Sequence, residues 1–458
     1  MRVLIALIGL SLAASAAAQE APAEPPAASY FHDIRPIIQR SCQGCHQPAS
    51  KMSGLDLTTY EGLRKGGAKG ASFVAGKPAE SLLVAYVSGE REPRMPLAQD
   101  PLPEEQIDLF RRWVEAGGAD DTPDEVKDSI SAGEPPVYHL PPVITSVAYS
   151  PDGSLLAVGG YREVLLHNSD GSGLVGRLVG LSEKVQSIAF TPDGKTLLAA
   201  GGTPARFGEV QLWDVAKQTL KQSITTCADT IFGASISPDG AHFAYGCPDQ
   251  TVRIHDLATG TQLHKSSYHE NWVLDTVFSV DGQQLVSVGR DRAARLASVK
   301  SGSFLETVNK LRGELSCVAR HPTRNVVVIG GDDRVPYYYK MERSKKMRIA
   351  DDSSLIRELE MQKGAIFAVA FHPDGRSLVV AGAAPEAPLY DVESGERIAA
   401  LIGHKAGIYT VRFHPSGDEV ATAGFDGKVR IYDARSGKII REFVPAPIEE
   451  STETATAR

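Results

Sequence analysis

The chain has 458 residues, too many for one compact core, and this calls for two or more domains. With 42% apolar and 23% charged residues its composition is that of an ordinary globular protein, not a disordered one. A net charge of −8 argues against nucleic acid as the main partner.

The N-terminus reads as an export signal. Arg2 supplies one positive charge, residues 3–14 form an apolar run, and Ala16-Ala17-Ala18 before Gln19 is a small-residue cleavage site. The run is too short, and too soon followed by polar residues, for a stable membrane span. A signal peptide over 1–18 is therefore expected, with the mature chain in an oxidising space, which in a bacterium is the periplasm. Residues 19–29 are a Pro/Ala tether with little to bury.

Cys42-Gln43-Gly44-Cys45-His46 carries the clearest chemistry. Two thiols three residues apart on one turn can each form a thioether to a haem vinyl group, and the following histidine then reaches the iron. Chance, a thioredoxin-like redox pair and half of a zinc site are the alternatives. Zinc would need a second ligand pair at similar spacing, and Cys227, Cys247 and Cys317 are distant and isolated. A redox pair would want a strand before it and a long helix after it, whereas a helical stretch precedes it and Gln47-Pro48 follows.

Helical signals surround this pentapeptide. Asp33 is the expected N-cap of a helix bearing Ile34, Ile37 and Ile38, with Pro36 in its first turn. Another helix starts near Ser81, and a third runs from Pro103 through Ile107, Phe110, Trp113 and Val114 to a stop at Gly117-Gly118. Between them Arg94-Met95-Pro96 forms a proline-punctuated loop. Met95 is the candidate sixth iron ligand, because a thioether is a soft neutral donor that raises the reduction potential. Met52, too near His46 to reach the opposite face easily, and His32, on the preceding helix, compete with it.

The order Phe31-His-Asp-Ile-Arg-Pro-Ile-Ile, Cys42-x-x-Cys45-His46, Ser81-Leu-Leu, Met95-Pro96, then Leu102 to Trp113 and Glu115-Ala-Gly-Gly resembles the planctomycete-type cytochrome c domain. The likeness spans roughly 28–118. It implies a small all-α domain, at 30–118, with one covalent haem c on Cys42 and Cys45 and with His46 and Met95 as axial ligands. Met-Pro-Leu stands here where Met-Pro-Pro is common.

Residues 119–139 turn acidic and turn-rich, which marks a linker, although Glu125 to Ile130 could form one helical turn. The chain then repeats itself. Ser150-Pro-Asp-Gly recurs in kind at Thr191, Ser237, Ser279, His321, His372 and His414, at spacings of 41 to 51 residues. Seven copies near a 42-residue period indicate a propeller with one blade per copy. In each, an alternating strand precedes a Pro-Asp-Gly turn, a small-residue strand follows, and a further strand ends in an aromatic-Asp pair such as Trp213-Asp214, Tyr390-Asp391 or Tyr432-Asp433.

Residues 140–446 thus resemble a seven-bladed WD40 propeller, with blades 1, 4 and 5 degenerate at the Trp-Asp position and 447–458 left as a tail. That resemblance implies an internal hydrogen-bonded tetrad of His404, Asp426, Thr422 and Tyr432, structural in role. Each blade can supply four strands of its own, so ring closure needs no exchanged strand, though Val137 to Leu140 could provide one.

By the same resemblance the turn between the second and third strands lies on the face used for partners. Four such turns carry arginine: Arg162, Arg206, Arg290 with Arg292, and Arg334. They suit an anionic partner or the acidic linker, unless each pairs with a nearby Asp291, Asp332 or Asp333. The insertion Met341 to Arg348 is a basic surface loop. Cys227 and Cys247, both assigned to blade 3, could pair.

The fold expected is multi-domain, an all-α cytochrome c domain followed by an all-β propeller. The function expected is that of a periplasmic monohaem cytochrome carrying electrons, its propeller docking a redox partner or complex. No Ser/His/Asp elbow, Walker A loop or paired-histidine helix points to catalysis by the chain itself. The alternatives are a redox enzyme whose propeller holds a second cofactor or substrate, as in the eight-bladed cytochrome cd1 arrangement, and a scaffold subunit with the haem as relay.

Overall fold

The computed structural model describes residues 28–47, 50–97, 100–123, 134–342 and 350–449. The expected signal peptide, nearly all of the tether, the Glu125 to Ile130 turn, most of the basic loop after Met341 and most of the tail lie outside the described residues.

The first described part is helical. Ser29, not Asp33, caps its opening turn: the Ser29 hydroxyl accepts from the His32 N–H at 2.9 Å, and Asp33 accepts in return from the Ser29 N–H at 2.8 Å. The reciprocal bond moves the helical start back to Tyr30, so a π-type turn (Tyr30–Ile34) runs directly into α1 (Arg35–Ser41). Pro36 sits in the first turn of α1, where its missing N–H costs nothing. There follow α2 (Tyr60–Lys65), α3 (Leu82–Ser88) and α4 (Glu104–Glu115), which Gly117 and Gly118 end at φ +100° and +66°. Ile34, Ile38, Leu63, Phe110 and Val114 are fully buried together, so these helices share one apolar core.

The remainder is an all-β propeller of seven four-stranded antiparallel sheets. The blades span 147–179, 184–227, 234–266, 273–307, 315–358, 366–402 and 408–443. Local chemistry explains the repetition. In the Pro-Asp-Gly turns the aspartate accepts from the N–H two residues on, as in Asp152 to Ser154 and Asp239 to Ala241, and Gly153 and Gly240 take φ near +70°. The aspartate of each aromatic-Asp pair closes the next turn by accepting from the N–H three residues on, at Asp214, Asp256, Asp391 and Asp433. His372 and His414 donate Nε2–H to the carbonyls of Gly417 and Gly153 in the following blades, at 2.8 and 3.0 Å.

Ring closure uses no exchanged strand. Blade 7 has four strands of its own and meets blade 1 through His414 to Gly153, the Val147 N–H to Thr410 Oγ1 (3.2 Å), and the Ile144 N–H to the Gly424 carbonyl (3.1 Å). Residues 137–140 join no blade. Tyr138 instead makes one parallel bridge to Ile448, and its hydroxyl donates to buried Glu163, itself paired with Arg177 at 2.7 Å.

The tetrad expected in blade 7 is altered. His404 reaches Thr422 at 2.7 Å and Asp426 at 3.2 Å, but the buried Tyr432 hydroxyl forms no good hydrogen bond. Arg430 joins in its place, 2.7 Å from both His404 Nδ1 and Asp426. Blade 4 builds the same group from His269, Ser287, Asp291 and Arg295 although its Trp-Asp position is degenerate. Burial, and then the nearby Arg430 guanidinium, push the His404 pKa down to about 4, and burial does the same to His255. A depressed histidine pKa gives stability that is complete above the unfolded value and disappears as pH falls toward the folded one. Unfolding free energy is thus expected to drop by about 1 kcal/mol per histidine for each pH unit between about 6.5 and 4, measurable by urea titration across that range.

Candidate functional site

After α1, the N–H groups of Cys45 and His46 both point to the Cys42 carbonyl at 3.2 Å, a single turn that presents two thiols and an imidazole together. His46 continues into a two-residue strand β1 (His46–Gln47), paired with β2 (Ser50–Lys51). The His46 Nδ1 lies 3.1 Å from the Met52 carbonyl; donation there fixes the tautomer that leaves Nε2 as the lone-pair donor. Burial lowers the His46 pKa, which favours that neutral form.

Met95 packs half-buried against the helical core, and Cys42 packs against the same core. Met52 is 50% exposed and contributes its carbonyl, not its sulfur, to His46. His32 is exposed on the opening turn. Cys42 and Cys45 are unpaired thiols. Burial pushes the Cys42 thiol up to about 12 and raises Cys45 as well. A redox pair needs the opposite shift, toward thiolate. Zinc needs more donors, and among the described residues no group of three or more His, Cys, Asp or Glu side chains comes together. The turn thus brings together two thiols and one imidazole of fixed tautomer, and Met95 packs against the helical core that Cys42 borders.

This turn rests on the propeller. Helix α1 and β2 lie against the fourth strand of blade 2 (Thr219–Cys227). A Cβ on Gly44 would stand 3.0 Å from the Ser223 carbonyl and 3.3 Å from Thr225, so glycine permits the close approach. At the other end of α1, the Arg206 guanidinium lies 5.9 Å from the Phe31 ring.

All five arginines occupy the turns expected of them, but they do not act alike. Arg206 faces the helical part and Arg162 is half-buried. Arg290, Arg292 and Arg334 are exposed on adjacent blades, with Arg290 stacked 4.1 Å from the Trp272 ring. Two of the three turn aspartates have other partners: Asp291 binds His269 and Arg295, and Asp333 accepts from Tyr337. Arg162, Arg292 and Arg334 hold φ between 59° and 68°, where blade 7 has Gly427 at 67°.

The cysteine assignment needs correction. Cys227 ends the long fourth strand of blade 2, and its disulfide to Cys247 joins blade 2 to blade 3 rather than lying within one blade. Cys317 is a free, buried thiol. No described helix is long and apolar enough to cross a membrane.

Comparison with known families matches the nucleolar protein 10-like, N-terminal domain model to residues 179–456, the planctomycete cytochrome C model to 42–97, and the WD domain, G-beta repeat model to 136–168. A nuclear distribution protein of Coccidioides posadasii is 31% identical over 159 residues, 32% of this chain and 34% of that protein. Eukaryotic translation initiation factor 3 subunit I of Culex quinquefasciatus is 29% identical over 176 residues, 37% and 52% respectively. Its counterpart from Aspergillus oryzae is 26% identical over 260 residues, 52% and 76%. The chain thus spans a third to a half of the first two.

Proposed function

The chain belongs to the nucleolar protein 10-like, N-terminal domain family of β-propellers, and on that scaffold we propose that it is an exported monohaem c-type cytochrome that carries electrons to or from a docked protein. A WD40 propeller is a platform for protein–protein interaction. The finer reading is carried by the Cys42 to His46 turn, with both thiols and an imidazole of fixed tautomer on one carbonyl. The planctomycete cytochrome C match over the same stretch supports it, as does the closeness of Met95 to the core that Cys42 touches.

Cys42 and Cys45 would hold the haem covalently, and His46 and Met95 would supply the nitrogen and sulfur that bind its iron. The group, when bound, supplies one-electron transfer. The helical core excludes water from one side of the turn, and the exposed Cys45 leaves an edge open to a partner. A disulfide between blades suits an oxidising compartment and supports export to the periplasm.

Met95→Ala is expected to keep the covalent pigment, turn a low-spin spectrum high-spin and lower the midpoint potential, while Met52→Ala changes neither. Optical redox titration of the two variants decides the sixth ligand; a normal potential in Met95→Ala would remove it from that role. Proteins co-purifying with the tagged chain from periplasm identify the partner.

A further inference from the structure

The innermost strands of the blades leave a cavity of about 400 Å³ on the propeller axis. Four ionisable residues line it: Asp275 of blade 4, Cys317 of blade 5, and Tyr409 and Arg412 of blade 7. The Asp275 carboxylate has a structural task, since it accepts the Thr276 N–H at 2.8 Å and the Val318 N–H of the next blade at 3.0 Å. Ser187 and Thr410 do the same for blades 3 and 1 with a hydroxyl, at 3.2 Å each. Asp275 therefore brings to that position a negative charge the task does not require.

Arg412 is different. One of its N–H groups donates to the Val411 carbonyl at 2.8 Å, and among the described residues its guanidinium makes no ion pair. A guanidinium has five N–H donors in a planar fork that matches a carboxylate. The Arg412 side chain is exposed on its strand and lines the cavity, so the fork faces open space, while the protein around that space still lowers its pKa. Asp275 is the nearest source of opposite charge, too far for contact, and burial raises its own pKa to about 6. The Cys317 thiol is held neutral by burial.

We propose that the axial cavity binds a small carboxylate-bearing solute on the Arg412 guanidinium, with Asp275 as a competing negative charge. The anion is held weakly while Asp275 is ionised and more tightly once it is protonated. The site stands apart from the Cys42 to His46 turn and does not depend on haem.

Trifluoroacetate, which stays ionised throughout, is a suitable probe, read by fluorine NMR line broadening on the full chain at constant ionic strength. Saturable broadening is expected, with binding about fivefold to tenfold tighter at about pH 5 than at about pH 7.5. Arg412→Gln abolishes it. Asp275→Asn, whose amide oxygen can still accept the Val318 N–H, binds at both pH values as the parent does at the lower one. Absence of saturation, unchanged binding in Arg412→Gln, or a pH dependence that persists in Asp275→Asn would each overturn the proposal. Should Arg412→Gln not fold, the Asp275→Asn comparison decides alone.

Discussion

Protein carrying Cys42→Ala and Cys45→Ala, matured in a host that attaches haem to exported chains, is expected to be recovered folded and colourless. Both thioethers are lost together, and an imidazole ligand alone does not survive denaturation as a covalent attachment would. The variant should fold because the helical core is apolar and closed without the thiols: Ile34, Ile38, Phe110 and Val114 are fully buried among themselves, and Cys42 only borders them. Haem staining of denaturing gels beside the absorption spectrum measures the outcome. A single substitution should leave one thioether and a fainter band, and pigment that persists covalently in the double variant would refute the assignment of this turn.

The second large effect concerns the propeller. Replacing Cys227 and Cys247 with alanine is expected to lower unfolding free energy by about 2–4 kcal/mol, the usual worth of a bridge that restrains the unfolded chain. The bond spans 20 residues and joins neighbouring blades, so its loss also frees the end of the strand on which α1 rests. Denaturant titration of the variant and of the reduced parent should give the same decrease, because Cys317 is buried and forms no bridge of its own. Equal stability with and without reductant would show that the bridge does not form.

What could be read from sequence followed from local rules. The Pro-Asp-Gly turns, the aromatic-Asp pairs and α4 each depend on a few adjacent residues with their own backbone demands, and all lie where expected. Failures arose where a residue answers to something distant or reciprocal. Asp33 looks like a cap until Ser29 is seen to share the bond. Cys227 belongs to blade 2 and not blade 3 because the fourth strand of blade 2 runs on for nine residues, a length the repeat does not announce. The arginine partners of Asp249, Asp291 and Asp426 lie four residues on, at Arg253, Arg295 and Arg430, a spacing in plain view but meaningless without knowing that these strands fold back from one turn. The turn from Cys42 to His46 stood out because its whole pattern fits in five residues. The rest on blade 2 did not, since nothing about Gly44 announces Ser223 as its neighbour.

The manner of closing the ring has a consequence for how the chain can be rearranged. Because every blade is completed by consecutive residues, and only side-chain and loop bonds stitch blade 7 to blade 1, the seam is one boundary among seven and holds no strand hostage. In the propeller taken by itself, new ends could be opened at another boundary and its own ends spliced without cutting through a sheet, since the bridge from Tyr138 to Ile448 already holds those two segments side by side.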